Sequence, residues 1–150
     1  NQRGKDSWLS FKSTTDRRYM IPKIQEWVDN LSLFQGMELY EYIVKDLGEK
    51  LQRDPLSQEL CTPETKVTKC QYDMFVDFED GKWKAYSNAL TASGYAYILT
   101  DIYNGIDNKT ASELTLADFD PLQMTTILSM NRATGFAQMV QIMSDRAKSL

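Results

Sequence analysis

The sequence predicts an α+β domain in which a small antiparallel sheet packs against helices. Three observations carry that reading. Over residues 35–51, Tyr40, Ile43, Val44, Leu47 and Leu51 form a single apolar stripe at helical spacing. The period then switches to two: Tyr72, Met74, Val76 and Phe78 share one face, Asp73, Phe75 and Asp77 the other, and Asp80-Gly81 follows as a strong hairpin turn. Helical spacing returns after the hairpin and closes the chain with Phe136, Met139, Val140 and Met143.

Each element has a local cause. Pro22 suits a first helical turn, where its missing N–H costs nothing, and a short helix through about Asn30 places Ile24 and Trp27 on one side. The helix from about Gln35 to Leu51 contains Gly48, which costs about 1 kcal/mol against alanine and so points to close packing. Residues 53–69, with Asp54, Pro55, Ser57 and Pro63, have no sustained period and read as loop. After the turn, Trp83 and Ala85 continue the returning strand, with Lys82, Lys84 and Tyr86 opposite. A helix covers about Ala89 to Tyr103 and ends at Asn104-Gly105, a C-cap pair. A short helix follows Lys109. Asp120-Pro121 reads as an N-cap with proline at N1, opening a helix towards Met130, and the last helix starts near Ala133.

Composition narrows the chemistry. The 150 residues are 42% hydrophobic and 25% charged, the make-up of one ordinary globular domain with enough chain to bury its own core. Two cysteines, Cys61 and Cys70, do not make a disulfide scaffold. With no histidine, every Ser-His-Asp or Cys-His triad, His-ligated metal and histidine base in cis is excluded. The net charge of −4 argues against a nucleic-acid partner, and no apolar run approaches the ~20 residues that span a bilayer. Residues 1–20 stand apart. Arg3, Lys5, Lys12, Arg17 and Arg18 face only Asp6 and Asp16, and the segment reads as an extended basic arm ahead of a domain at residues 21–150. Its aromatics Trp8, Phe11 and Tyr19 would anchor it on a partner; a frayed terminus fits equally well. The chain begins at Asn1, as a processed or truncated chain would.

Cys70 is the leading candidate for chemistry. It lies where the loop meets the strand, with Lys66 and Lys69 beside it, and nearby cations favour the reactive thiolate. Spacing alone favours the plainer role of a small buried hydrophobe. Cys61, nine positions earlier, makes no CxxC pair, and two cysteines without histidine are a poor zinc site. It reads as an inert loop residue, although a reversible disulfide with Cys70 stays open. Arg132, just before the last helix, is disfavoured by the helix dipole there, so it either pairs a carboxylate, bonds loop carbonyls or is solvated. Asp73, Asp77, Glu79, Asp80, Asp101 and Asp107 read as a solvated acidic face.

These residues keep the order of a known family. Leu47-Gly48-Glu49-Lys50-Leu51 matches an L-G-x-x-L at a helix end. Lys66-Val67-Thr68-Lys69-Cys70-Gln71 falls on a V-x-G-C-Q-like segment, and Ser87-Asn88-Ala89, with Gly94 beyond it, falls on an S-D-(A/S) segment. Leu128-Ser129-Met130-Asn131-Arg132-Ala133-Thr134-Gly135-Phe136 looks like L-(T/S)-P-S-R-x-N-G-(F/L). Over about residues 34–148 the chain resembles the SufE family, the sulfur-acceptor proteins of iron–sulfur cluster assembly. The Cys segment and the Arg-x-x-Gly segment are specific together and weak apart.

The resemblance implies a SufE/IscU-like fold and a mechanism. A cysteine desulfurase, which carries the pyridoxal phosphate, holds sulfur as a persulfide; Cys70 takes that sulfur and hands it to cluster-scaffold proteins. It implies no cofactor on this chain, whose enzyme status is that of a sulfur shuttle and desulfurase activator. Arg132, Lys69, Asn88 and Gly135 are the implied supporting residues. The closing segment from Gly135 to Leu150 looks most like plastid members, which points to plastid stroma, with bacterial cytoplasm as the alternative. Departures are concentrated at the site: Lys69 replaces glycine, Tyr72 and Asp73 replace serine and glutamine, Asn88 replaces aspartate, and Met130-Asn131 replaces Pro-Ser. A lysine in a positive-φ loop would be strained, and Tyr72 would shield the sulfur or move the loop. The alternative function is a non-catalytic structural or interaction subunit of a larger complex that reuses this fold.

Overall fold

A computed structural model describes residues 20–150 of the chain. All of the basic arm except Met20 lies outside the described residues. Helix α1 spans Pro22–Leu31, with Pro22 at its start and Ile24, Trp27 and Leu31 buried. It is followed by a continuous helical rod: α2 (Gly36–Glu41), a π-helical segment (Tyr42–Leu47) and α3 (Gly48–Arg53). The π segment corrects the predicted stripe. A π turn shifts the phase of the apolar face, so Ile43, Leu47 and Leu51 are buried while Tyr40 is 47% exposed.

Strands β1 (Met74–Glu79) and β2 (Lys82–Ser87) form an antiparallel hairpin, with Met74 opposite Ser87 and Glu79 opposite Lys82. Asp80 and Gly81 turn the chain with φ of 52° and 83°, the mirror-image turn that matches strand twist. The predicted face starts at Met74; Tyr72 lies before the strand and is 44% exposed.

Helix α4 (Leu90–Asn104) is the centre of the fold, buried along most of its length and packed against β2, α3 and the π segment. Two glycines let backbones meet there. A β-carbon on Gly48 would lie 2.6 Å from the Leu90 carbonyl oxygen, and one on Gly94 would collide with the Ile43 carbonyl. Gly105 caps α4 at φ −93°, so this cap is not the left-handed one that the Asn-Gly pair suggests.

Helix α5 spans Asn108–Glu113, two residues earlier than expected, because Asp107 caps it by accepting the Thr110 N–H at 2.7 Å. The region after it corrects the sequence reading. Thr115 and Asp118 form a capping box that opens a 3-10 helix over Leu116–Leu122, so Pro121 lies inside that helix rather than at the start of one. Gln123, at φ 58°, breaks the run, and only the single-turn α6 (Met124–Ile127) follows. Helix α7 spans Met130–Ala147 and starts three residues before the predicted point, because Ser129 serves as its N-cap.

The core is continuous. Rings of Phe78, Trp83, Tyr103, Phe119, Phe136 and Tyr95 touch in sequence at centroid distances of 5.4 to 6.1 Å, from the hairpin to the base of α7. Such contacts fix ring positions as well as burying area. Among the described residues no helix is long and apolar enough to cross a membrane.

Candidate functional site

The site is built where the loop before β1 meets the start of α7. Val67, fully buried, anchors the loop: its N–H donates to the Met74 carbonyl at 2.8 Å, and neighbouring Lys66 bridges Phe75. The chain then turns back on itself, with the Cys70 N–H donating to the Val67 carbonyl at 3.2 Å. The turn leaves Cys70 half-buried and packed against the core. Lys69 is exposed and its φ is not positive, so the strain expected of lysine in place of glycine does not arise.

Helix α7 holds this turn from outside. The Gln138 side chain accepts the Lys69 N–H at 2.7 Å and donates to the Thr68 hydroxyl at 2.9 Å. One turn earlier, Gly135 faces the cysteine: a β-carbon there would sit 3.7 Å from both Cα and Cβ of Cys70, in ordinary contact. On the strand side, Asn88 Oδ1 accepts the Asp73 N–H at 3.2 Å and so secures the far end of the loop. Lys66 lies 4.0 Å from the Asp73 carboxylate and over the Phe75 ring. The structure therefore brings together Cys70, Lys69, Asn88 and Gly135.

Arg132 joins them from α7. It lies in the helix's first turn rather than before it, and its N–H donates to the Ser129 hydroxyl at 3.4 Å. Among the described residues its guanidinium pairs with no carboxylate and no loop carbonyl, contrary to two of the three roles open to it in the sequence. Its charge is felt at Tyr95, where it works against the effect of burial.

Tyr95, like Gln138, is a residue that the sequence reading missed. It is fully buried on α4, and its hydroxyl donates to Cys70 Sγ at 3.7 Å. Burial, with the Cys70 sulfur beside it, holds the phenol well above its ordinary pKa, so it stays protonated and remains a donor. The available signal was a tyrosine on the central, largely buried helix, whose hydroxyl must find a partner.

Cys61 is elsewhere in the loop. Its thiol donates to the Ser57 carbonyl at 3.4 Å. Burial raises its pKa, and Glu79 and Asp73 add to the rise. Both cysteines are free thiols.

Comparisons with known proteins agree with this architecture. The solution structure of a hypothetical protein from Thermus thermophilus is similar, with a TM-score of 0.67 and 18% identity, over 87% of this chain and 97% of that one. At that identity the likeness speaks for the fold. Residues 25–147 match the SufE family, described as an Fe-S metabolism associated domain. The match runs from α1 to the end of α7 and includes every residue of the Cys70 site, and the chain belongs to the SufE family.

Proposed function

We propose that the protein accepts sulfur from a cysteine desulfurase and carries it into iron–sulfur cluster assembly. The observation that supports this most directly is the setting of Cys70. It is a half-buried free thiol beneath a buried phenol donor, near the Arg132 cation, which has no carboxylate partner among the described residues. Thiol exchange needs a nucleophilic sulfur and access to the donor's persulfide, and it needs no other group on this chain.

The step balances simply. The Cys70 thiolate attacks the terminal sulfur of the desulfurase persulfide. The S–S bond of the donor breaks, the desulfurase cysteine leaves as a thiolate, and the terminal sulfur, with its proton, remains as Cys70–S–SH. Arg132 supplies positive charge where the single negative charge passes from one sulfur to the other. Asn88 and Gln138 keep the loop ends in place, so Cys70 is presented in one geometry. Transfer of the outer sulfur to a scaffold protein repeats the exchange in the opposite sense. The likeness of the closing segment to plastid members supports a stromal setting.

The test is intact mass after incubation with a cognate desulfurase and free cysteine. Wild type and Cys61→Ser gain one sulfur atom; Cys70→Ser gains none. Failure of wild type to gain sulfur while it remains folded in a larger complex would replace this reading with that of a structural subunit.

A further inference from the structure

We propose that the Tyr95 hydroxyl is a dedicated hydrogen-bond donor to the Cys70 sulfur, and that position 135 is glycine so that this hydroxyl can reach it. The contact is 3.7 Å, across 25 residues of sequence, and comes from a side chain with no exposed surface. Packing holds Tyr95 within the core. Its ring stands edge-on to Phe136 at 5.9 Å, at the end of the aromatic run through the core.

Gly135 closes the arrangement from α7. A β-carbon there would lie 2.6 Å from the Tyr95 hydroxyl oxygen and 3.7 Å from Cys70. The first distance is too short for any real contact. An alanine must therefore push the hydroxyl aside, although alanine is the better helix former by about 1 kcal/mol. The glycine sacrifices helix propensity at the one place where the phenol meets the sulfur.

A donor fixed on sulfur holds it in one orientation and meets the negative charge that sulfur carries when it attacks or leaves. The other charged groups around the sulfur are mixed. Lys66, Lys69 and Asp73 lie along its own loop, Lys66 is engaged by Asp73 and the Phe75 ring, and Arg132 comes from α7. Tyr95 alone makes a direct hydrogen bond to Sγ among the described residues.

This assignment deepens the proposed transfer, but its test uses no desulfurase. In a Cys61→Ser background, iodoacetamide alkylation of Cys70 is followed at neutral pH. Tyr95→Phe keeps the ring and removes the donor. It slows alkylation several-fold, while amide hydrogen exchange in α4 and α7 stays as in wild type. Gly135→Ala slows alkylation similarly and lowers the urea midpoint. The double variant Tyr95→Phe/Gly135→Ala recovers the midpoint, because the clash is gone, but not the neutral-pH rate. If Gly135→Ala does not fold, Tyr95→Phe alone decides. Wild-type rates in Tyr95→Phe at neutral pH, or slowing accompanied by faster amide exchange across α4 and α7, would overturn the assignment. Should Tyr95→Phe show the expected slowing while wild type never gains sulfur, the transfer reading fails and the donor role stands.

Discussion

Gln138 on α7 accepts the backbone N–H of Lys69 at 2.7 Å and donates to the Thr68 side chain at 2.9 Å, so one amide closes the turn that ends in Cys70. An amide matches this task because it offers an acceptor and a donor together. Gln138→Ala removes both bonds and is expected to cost about 1 kcal/mol, since the freed groups regain water. The sharper readout is local. Amide hydrogen exchange at Lys69 should accelerate in the alanine variant, while amides of α4 keep their protection. Gln138→Glu retains the acceptor for Lys69, and the Thr68 hydroxyl can turn to donate, so its effect should be smaller.

Gly94 within α4 and Gly105 at its end give opposite expectations. At Gly94, an added β-carbon meets the backbone carbonyl of Ile43, which cannot swing away. Gly94→Ala should lower stability by roughly 3 kcal/mol, the upper range for overpacking, or prevent folding. At Gly105 the obstruction is the Lys23 side chain, at 2.9 to 3.1 Å, which can take another rotamer. Gly105→Ala should change stability by less than about 0.5 kcal/mol. Urea unfolding of the two variants measures the contrast; equal effects would mean that the π segment does not press on α4.

The hairpin carries an acid-sensitive contact at its edge. Asp54 lies 2.8 Å from Lys82 and 3.3 Å from Lys84, and these two lysines hold its carboxyl below the usual carboxylate range. A lowered folded pKa means that the contribution is present above the unfolded carboxylate value, near pH 4, and is lost as pH falls through the folded value. All three side chains reach solvent, so the stabilisation is below about 1 kcal/mol and falls with salt. Asp54→Asn should flatten the stability curve below about pH 4 by that small amount and leave the neutral-pH fold intact. An unchanged acid limb would show that solvent screens the contact fully.

Local pattern reached some of these features and not others. The hairpin was legible because alternation and an Asp-Gly turn are both short-range signals, and Gly48 because a glycine inside a helical stripe asks for a close neighbour. Tyr40 was misplaced because an i→i+5 turn shifts the phase of a helix without any residue type that marks it. Asp120-Pro121 imitated a helix start, while the true start, Thr115 with Asp118, lay five residues earlier. Cys70, Lys69, Asn88, Arg132 and Gly135 were found through motif order. Tyr95 and Gln138 were not, because their meaning lies in contacts 25 and 69 residues away in the chain. Residues of that kind become visible only when α4 and α7 are packed together.

Cys61 supplies an internal control for the reactive thiol. It is half-buried and donates to the Ser57 carbonyl at 3.4 Å; burial, then the charges of Glu79 and Asp73, raise its pKa. Because the raised value keeps the thiol protonated at neutral pH, the thiolate fraction that alkylates is smaller in the folded chain than in the unfolded one. In a Cys70→Ser background, folded Cys61 should therefore react with iodoacetamide several-fold more slowly than the same residue in urea near neutral pH. The gap should narrow as pH rises past the folded value, because both states are then thiolate. Asp73→Asn removes one of the two carboxylates and should recover part of the folded rate without altering the unfolded one. A folded rate equal to the unfolded rate would show that the Ser57 contact and the surrounding carboxylates do not restrain this sulfur. Cys61 would then have to be replaced before any labelling of the protein could be assigned to Cys70.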